Sequence, residues 1–528
     1  MSGWSEPPQR REQLVLFREC LDDAIGPDHV VRQLNELLAR LDWSAWEASY
    51  HGRLGQPAIH PRVLASVLLY GLLRRTRSSR ALEEALQMRL DFRWLAEGRS
   101  IDHTTISEFR HRHGEALKDL FVQVGLLAKQ LGLLLLEQLA FDGTRMRSNN
   151  RPHGSRTPQE LHDLREQLAR KFQELETRAV AADVQDDEAL GSSAPLSQEW
   201  SDTQQRLTRV DQALAELARV SEAGETTPTR LPLTDPESRI TPNKEGGFAP
   251  NYTPLATVDV ASGLIVAADV IAMTDEDHYL VPSAREVQND FALERPVPVM
   301  LGDGLQATGA NLAELESLGV TLYAPVPLPD PKNPALRLDP TQPIAESDWE
   351  RLPTTVVKNK SGEKQTQLTK EAFVFDAEQD VYWCPQGVSL TRRGTTSEST
   401  GSGRVQRTRY QADTLVCAAC PLRDRCLQKA ARQGRQLSRD QYESHRERHV
   451  QRMATAEAQA TYARRRHVGE RPFAIIKQHF GARRFLLRDL AKVRLEWRWL
   501  ATAFNLHRLL SLLRSRAGPP LAPILSTA

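Results

Sequence analysis

The sequence predicts an α/β protein: a mixed sheet flanked by helices, with an all-helical N-terminal domain and a small β-rich insertion carrying four cysteines. Three observations carry that prediction. Apolar residues recur at helical spacing through residues 10–130, as in Val63, Leu64, Val67, Leu68 and Leu72. Strand-like and helix-like patterns then alternate from Leu133 to Ala324. Four of the five cysteines fall between Cys384 and Cys426, among short β-patterned runs.

The elements follow in order. Thr105-Ile-Ser-Glu108 fits a capping box, in which hydroxyl and carboxylate each satisfy a free backbone amide, so a helix is expected from Thr105 through Phe121. Arg74, Arg75, Arg77, Arg80 and then Arg110–His113 give this helical domain basic edges, suited to DNA or, equally, to packing. Leu133–Phe141 reads as a buried strand ending at Asp142-Gly143. Residues 151–245 are polar, with Leu161, Leu164 and Leu168, then Leu207, Val210, Leu214 and Leu217, marking amphipathic helices between loops at Gly191–Leu196 and Gly224–Pro236. Leu255–Val260 and Leu264–Ile271 form a hairpin about Ala261-Ser-Gly263. A helix from Asp275 to about Asn289, a strand Val297–Leu301 ending at Gly302-Asp303-Gly304, a helix closed by Gly319 and a strand Val320–Ala324 complete the pattern. Pro325–Pro343 is loop. Phe373–Phe375, Val381–Trp383 and Arg404–Tyr410 are strands of the cysteine module, and Ser438–Leu513 returns to helix. The predicted organisation is a helical domain 1–130, a catalytic core of 131–150 and 246–325, a polar helical insertion 151–245, a β-rich insertion 326–437, C-terminal core helices 438–516 and a frayed tail 517–528.

Composition bounds the function. The chain has 528 residues, 40% hydrophobic and 26% charged, which is globular and too long for one ordinary domain. The first residues are polar, unlike a signal peptide, and the longest greasy run, Leu131–Leu136, is far short of the roughly 20 residues a membrane span needs. A cytoplasmic protein without a membrane partner is expected. The net charge of +1 conceals a segregation: Thr461–Arg516 holds 14 Lys or Arg against three acids, Glu470, Asp489 and Glu496. Such a segment points to a polyanion.

The acids define a chemistry. Cutting a phosphodiester needs an aligned nucleophile, charge stabilisation on phosphate and help for the leaving oxygen, which two divalent cations roughly 4 Å apart can supply. Hard cations require oxygen ligands, so carboxylates must converge from separate elements. Asp142 and Asp303 each end a predicted strand beside glycine, which lets backbone turn and phosphate approach. Either Asp-Gly alone is merely a turn; the pair, set about a strand-strand-strand-helix-strand order, is more. A third acid is expected from a later helix. Tyr462, Arg466 and Glu470 are four apart, on one face of a continuous helix, with Lys477 two turns beyond Glu470. Pro472 is expected to kink that helix or start a new one.

These stretches resemble the bacterial insertion-sequence transposases of the Asp-Asp-Glu type. The resemblance runs through His60-Pro-Arg-Val63, Leu69-Tyr-Gly71, Arg77-Ser-Ser-Arg80, Phe92-Arg-Trp-Leu95, Asp102–Arg110, Phe141-Asp-Gly-Thr-Arg145, Leu301-Gly-Asp-Gly304, the Tyr462…Arg466…Glu470…Lys477 series, Phe480–Phe485 and Asn505-Leu. It implies a ribonuclease-H-like core in which Asp142, Asp303 and Glu470 hold Mg²⁺ or Mn²⁺, two ions in all. Tyr462, Arg465, Arg466, Lys477, Arg483 and Arg484 are expected on double-stranded DNA, with a homodimer forming on DNA at the bacterial nucleoid. Either Arg465 or Arg466 fits the family's signature arginine. Leu305 stands where tyrosine is usual, and Asp489 where glycine is frequent. A ribonuclease-H-like nuclease that cuts without joining, and a transposase-derived DNA-binding protein, are the alternatives. Trp497 and Trp499 suit core better than base stacking.

Cys384, then Cys417-x-x-Cys420 and Cys426, supply four thiols matching tetrahedral structural Zn²⁺. His445 and His449, four apart, are weaker ligands expected at the surface.

Overall fold

The computed structural model describes residues 20–50, 58–151, 154–186, 194–243, 246–273, 275–336, 339–358, 364–400, 403–428 and 431–517. The first residues, the Gly191–Ser193 part of one expected loop and the tail from Gly518 lie outside them. Two compact units form. The first contains Met1–Glu276, Pro282–Val297 and Arg465–Ala528; the second contains Asp277–Val281 and Pro298–Arg464. The expected C-terminal block 438–516 is therefore divided at Arg464/Arg465. No helix among the described residues is long and apolar enough to cross a membrane.

Among the described residues, the first unit opens with seven α-helices between Val30 and Gln130. The helix Pro61–Leu73 is buried almost all round, from Pro61 to Leu72, as its unbroken apolar run demands. The expected capping box at Thr105 is not used. Asp102 caps the helix His103–Arg112 instead, accepting from the Thr104 and Thr105 amides. A carboxylate one turn earlier is the stronger acceptor for free N-terminal amides. The helix also stops at His113, before a new helix Gly114–Gln130.

Strand Phe248–Asp259 is the hub of this unit's sheet. It pairs antiparallel with Gln138–Gly143, Met146–Arg147, Arg239–Pro242 and Ile265–Ile271. Its residues 251–259 are buried without alternation, the mark of a strand covered on both faces. The first strand starts at Gln138, five residues later than expected, and includes Asp142, which pairs with Ala256. Helix Leu490–Ala517 lies on strand Ile265–Ile271. There the buried Asn505 carboxamide accepts from Ile265 N–H at 2.8 Å and donates to Ile265 C=O at 2.7 Å. That pair finishes a strand end which has no further strand to satisfy it. Trp497 is wholly buried and donates to the Leu255 carbonyl at 2.9 Å, while Trp499 donates to the Arg110 carbonyl. Both tryptophans are core.

Within 151–245 the expected amphipathic helices are Pro158–Asp186 and Ala194–Glu222, which pair as a helical hairpin over Leu161, Leu168, Val210, Ala213 and Leu231.

Much of the basic edge turns inward. Arg75 donates to the carbonyls of Gln478 and His479, and Arg77 to those of Gly481 and Arg484. Arg77 also meets Glu496 at 2.7 Å with both side chains nearly buried. Arg110 donates to the Arg77 carbonyl, and His113 lies buried against Trp46 and Phe109. Arg75 and Arg77 brace the helical domain against residues 478–484, a role requiring partners some 400 positions away.

In the second unit, strands Val299–Leu301 and Thr321–Tyr323 pair in parallel across the crossover helix Gly309–Ser317. The described residues of Pro325–Pro343 form neither helix nor strand, as expected. A five-stranded antiparallel sheet runs Val374–Asp376, Val381–Trp383, Ser389–Thr400, Gly403–Gln411 and Gln436–Asp440, beside a two-stranded ribbon. Its core is Leu352, Leu368, Phe373, Tyr382, Leu390, Tyr410 and Leu437, with the four cysteines packed on one side. Ser389–Thr400 escapes sequence patterning because it is polar apart from Leu390 and Gly394. His449, expected at the surface, is buried and bonds the Ala324 carbonyl at 2.9 Å; its neighbour His445 pairs with Glu316. The fold is thus mixed α/β with antiparallel and parallel strands, a helical N-terminal region and a cysteine-bearing β-sheet.

Candidate active site

Asp142 sits at the last turn of strand Gln138–Gly143, on the wall of a cleft of ≈ 500 Å³ in the first unit. The strand carries it there because Leu139, Ala140 and Phe141 are anchored in the core. Glu470 lines the same cleft, with Thr144, Arg145, Arg147, Lys477, Arg483 and Arg484. Two acids 328 positions apart in the chain thus share one opening ringed by cations.

The cations divide by task. Arg465 meets Asp142 Oδ1 at 3.0 Å, with both side chains mostly buried. Arg466 is exposed. Packing therefore separates two arginines that sequence cannot, and sets Arg465 against the acid. Lys477 Nζ donates to Thr144 Oγ1 at 2.7 Å and to the Arg145 carbonyl at 2.8 Å, pinning the loop that leaves Asp142. Arg483 and Arg484 are exposed, on a segment that runs alongside residues 147–149: Phe485 N–H donates to the Arg147 carbonyl, and Asn149 donates to the Leu486 carbonyl.

Two glycines make room. A methyl group on Gly143 would run into the Glu276 carboxylate, and one on Gly469 would stand 3.4 Å from Asp142 Oδ2. Glu276 is thus a further acid beside Asp142, from the loop after strand Ile265–Ile271. No pattern in the sequence marks it.

The helix bearing Glu470 is not continuous. Short segments Arg465–Val468 and Glu470–Ala474 are followed by a π-turn, Ile475–His479. Pro472 has no N–H to return to Val468, which breaks the ladder at the acid. The π-turn widens the next turn, where Lys477 leaves the backbone; such turns are frequent at functional sites.

Asp303 and Tyr462 belong to the second unit. Asp303 lies two residues beyond strand Val299–Leu301, which is shorter than expected. Its Oδ1 accepts from the Leu305 and Gln306 amides, and Gln306 returns a bond to the Asp303 amide, so the carboxylate is held in one orientation. Leu305 is 82% exposed. Tyr462 is part of helix Ala456–Ala463.

Residues 383–510 match the family model described as Transposase DDE domain. Residues 19–112 match a second, described as Transposase domain (DUF772). No curated protein matches the chain. The first match contains Arg465, Glu470 and Lys477 together with all four clustered cysteines; the second covers the helices from Val30 to Arg112. The two matches, both to transposase domains, cover separate segments that together make up less than half of the chain.

The four clustered cysteines line a separate small cavity of ≈ 30 Å³, with Leu368, Arg435 and Leu422. None is in a disulfide. Gly387, at φ +73°, turns the chain back after Cys384, where a Cβ would strike the Thr341 carbonyl. Burial, with the neighbouring thiols adding to it, pushes Cys426 up to about 12 and raises Cys384 and Cys420 as well.

Proposed function

We propose that this chain is a DNA transposase that cuts strands at transposon ends and joins them to target DNA, with Asp142, Asp303 and Glu470 as its metal-holding acids. One observation carries the reading: Asp142 and Glu470 share a cationic cleft within a chain bearing two transposase domains. The donor set suits a hard cation, being carboxylate oxygen from a fixed strand and from a broken helix. Mg²⁺ or Mn²⁺, two ions in all, would supply charge stabilisation on the scissile phosphate and activation of the attacking oxygen.

The protein's own groups do the rest. Arg465 orients Asp142 through Oδ1. Lys477 keeps the Gly143–Arg145 loop closed against the helix. Arg145, Arg147, Arg483 and Arg484 present guanidinium forks to phosphates, whose contacts position the duplex without reading its sequence. Tyr462 and Arg466 complete that phosphate-contacting set. No covalent protein–DNA bond is needed, so Tyr462 positions rather than attacks. Two ends must be handled together, which favours a homodimer on DNA.

A labelled end fragment incubated with Mg²⁺ and target plasmid tests this function. Cleaved and joined products are expected; cleavage without joining would make the protein a nuclease, and binding without cleavage a DNA-binding derivative. Binding should weaken steeply with salt. Substituting Arg483 and Arg484 by alanine should reduce the slope of log K against log[salt] by about 1 for each phosphate that is no longer neutralised. An unchanged slope would remove both arginines from the interface.

The cysteine module has the donor chemistry of structural Zn²⁺, four thiols lining one cavity, although among the described residues no three of them stand close enough together to share an ion without moving. Raised thiol pKa values mean that metal must displace protons, so zinc affinity should fall as pH falls. Cys417→Ser is expected to eliminate bound zinc and to lower the unfolding midpoint, by metal analysis and thermal melting. Full zinc retention would count against tetrathiolate binding.

A further inference from the structure

Away from the cleft, three carboxylates of the first unit crowd together at the root of the helical hairpin. Ligand oxygens of Asp235, Glu237 and Asp489 all lie within 4.8 Å of one another. Asp235 is completely buried. Its Oδ1 accepts from the Tyr252 hydroxyl at 2.7 Å and from the Asp489 amide at 3.2 Å. Its Oδ2 is buried with no donor at all. A carboxylate oxygen taken from water and left unpaired is costly, and native structures rarely hold one without a reason.

The surroundings do not supply the missing positive charge. Glu237 accepts from the Leu490 amide, which opens helix Leu490–Ala517. Lys492 pairs with the outer oxygen of Asp489, at 2.8 Å and half exposed to solvent. Arg239 is committed to Glu216 at 2.6 Å and to the carbonyls of Pro236, Glu237 and Ser238. Three acids therefore face one lysine, and one of their oxygens is buried without a donor.

We propose that a hard divalent cation, of which Ca²⁺ is the type, binds Asp235 Oδ2 with one oxygen each from Glu237 and Asp489. An all-carboxylate donor set is what such ions select over softer metals. The ion joins the turn at residues 235–238, which follows the hairpin, to the start of the C-terminal helix. It is a structural ion, separate from the cleft that holds Asp142 and Glu470.

The test uses the full chain carrying Asp142→Ala and Glu470→Gln, so that the cleft contributes no metal binding. Ca²⁺ titration followed by calorimetry, and Tb³⁺ luminescence sensitised by Tyr252, are each compared with the same chain bearing Asp235→Asn. The expected result is one bound Ca²⁺ per chain and a Ca²⁺-induced rise in melting temperature, both lost with Asp235→Asn. Tyr252→Phe should diminish Tb³⁺ emission while Ca²⁺ still binds. Glu237→Gln, at a half-exposed position, gives the same loss should Asp235→Asn not fold. Equal Ca²⁺ stoichiometry and equal melting shifts in parent, Asp235→Asn and Glu237→Gln chains would overturn the proposal.

Discussion

Glu470→Gln should reduce strand cleavage by about 10³-fold or more while leaving DNA binding nearly intact. The change keeps shape and removes one negative charge. A group that acts on charge developing in the transition state is worth about 10²–10³ in rate even when it is a neutral donor, and a metal-holding carboxylate acts on more charge than that. Phosphate contacts from Arg483 and Arg484 do not depend on it, so affinity is retained. Arg465→Ala gives the contrasting outcome: a smaller loss, because Asp142 remains but is no longer held at Oδ1. Single-turnover cleavage of a labelled duplex, with binding measured separately, distinguishes the two. Cleavage by Glu470→Gln at the unsubstituted rate would remove Glu470 from the chemistry.

Glu496→Ala should be the most destabilising single change in the first unit, at about 3–5 kcal/mol, the cost of breaking a buried ion pair from one side. Its carboxylate accepts from the Leu486 and Leu487 amides and from Arg77, and it is 5% exposed. Removing it strands a buried guanidinium and two amides together. Arg77→Ala combined with Glu496→Ala should cost less than the sum of the two single changes, since the second deletion removes a charge that the first left unpaired. Urea denaturation of the four chains measures this. An unchanged midpoint for Glu496→Ala would show that the helical domain is not fastened here.

Several of these features were legible in the sequence, and the reasons differ. Asp142 stood out because an apolar run ends on Asp-Gly, and periodicity exposes such ends. Glu470 and Lys477 could be found by helical spacing, although the helix is broken and a π-turn intervenes. Choosing between Arg465 and Arg466 was beyond the sequence, since adjacent identical residues differ only in what they pack against. The basic edge left DNA contact and packing equally open for a related reason: the carbonyl partners of Arg75, Arg77 and Arg110 come only with the fold, from residues 77 and 478–484. His449 and Glu276 acquire their surroundings in the same way, from distant chain. Asp489, where glycine is expected, adopts φ +68°, a conformation glycine enters freely and other residues enter with strain. The departure in the sequence was visible, and its backbone cause was not.

In the proposed function, Asp142, Asp303 and Glu470 act together on metal. Anomalous diffraction from crystals of the full chain with Mn²⁺ tests this. Manganese peaks bound by oxygens of all three side chains are expected. Manganese held by Asp142 and Glu470 with Asp303 uninvolved, or bound only elsewhere, would contradict it.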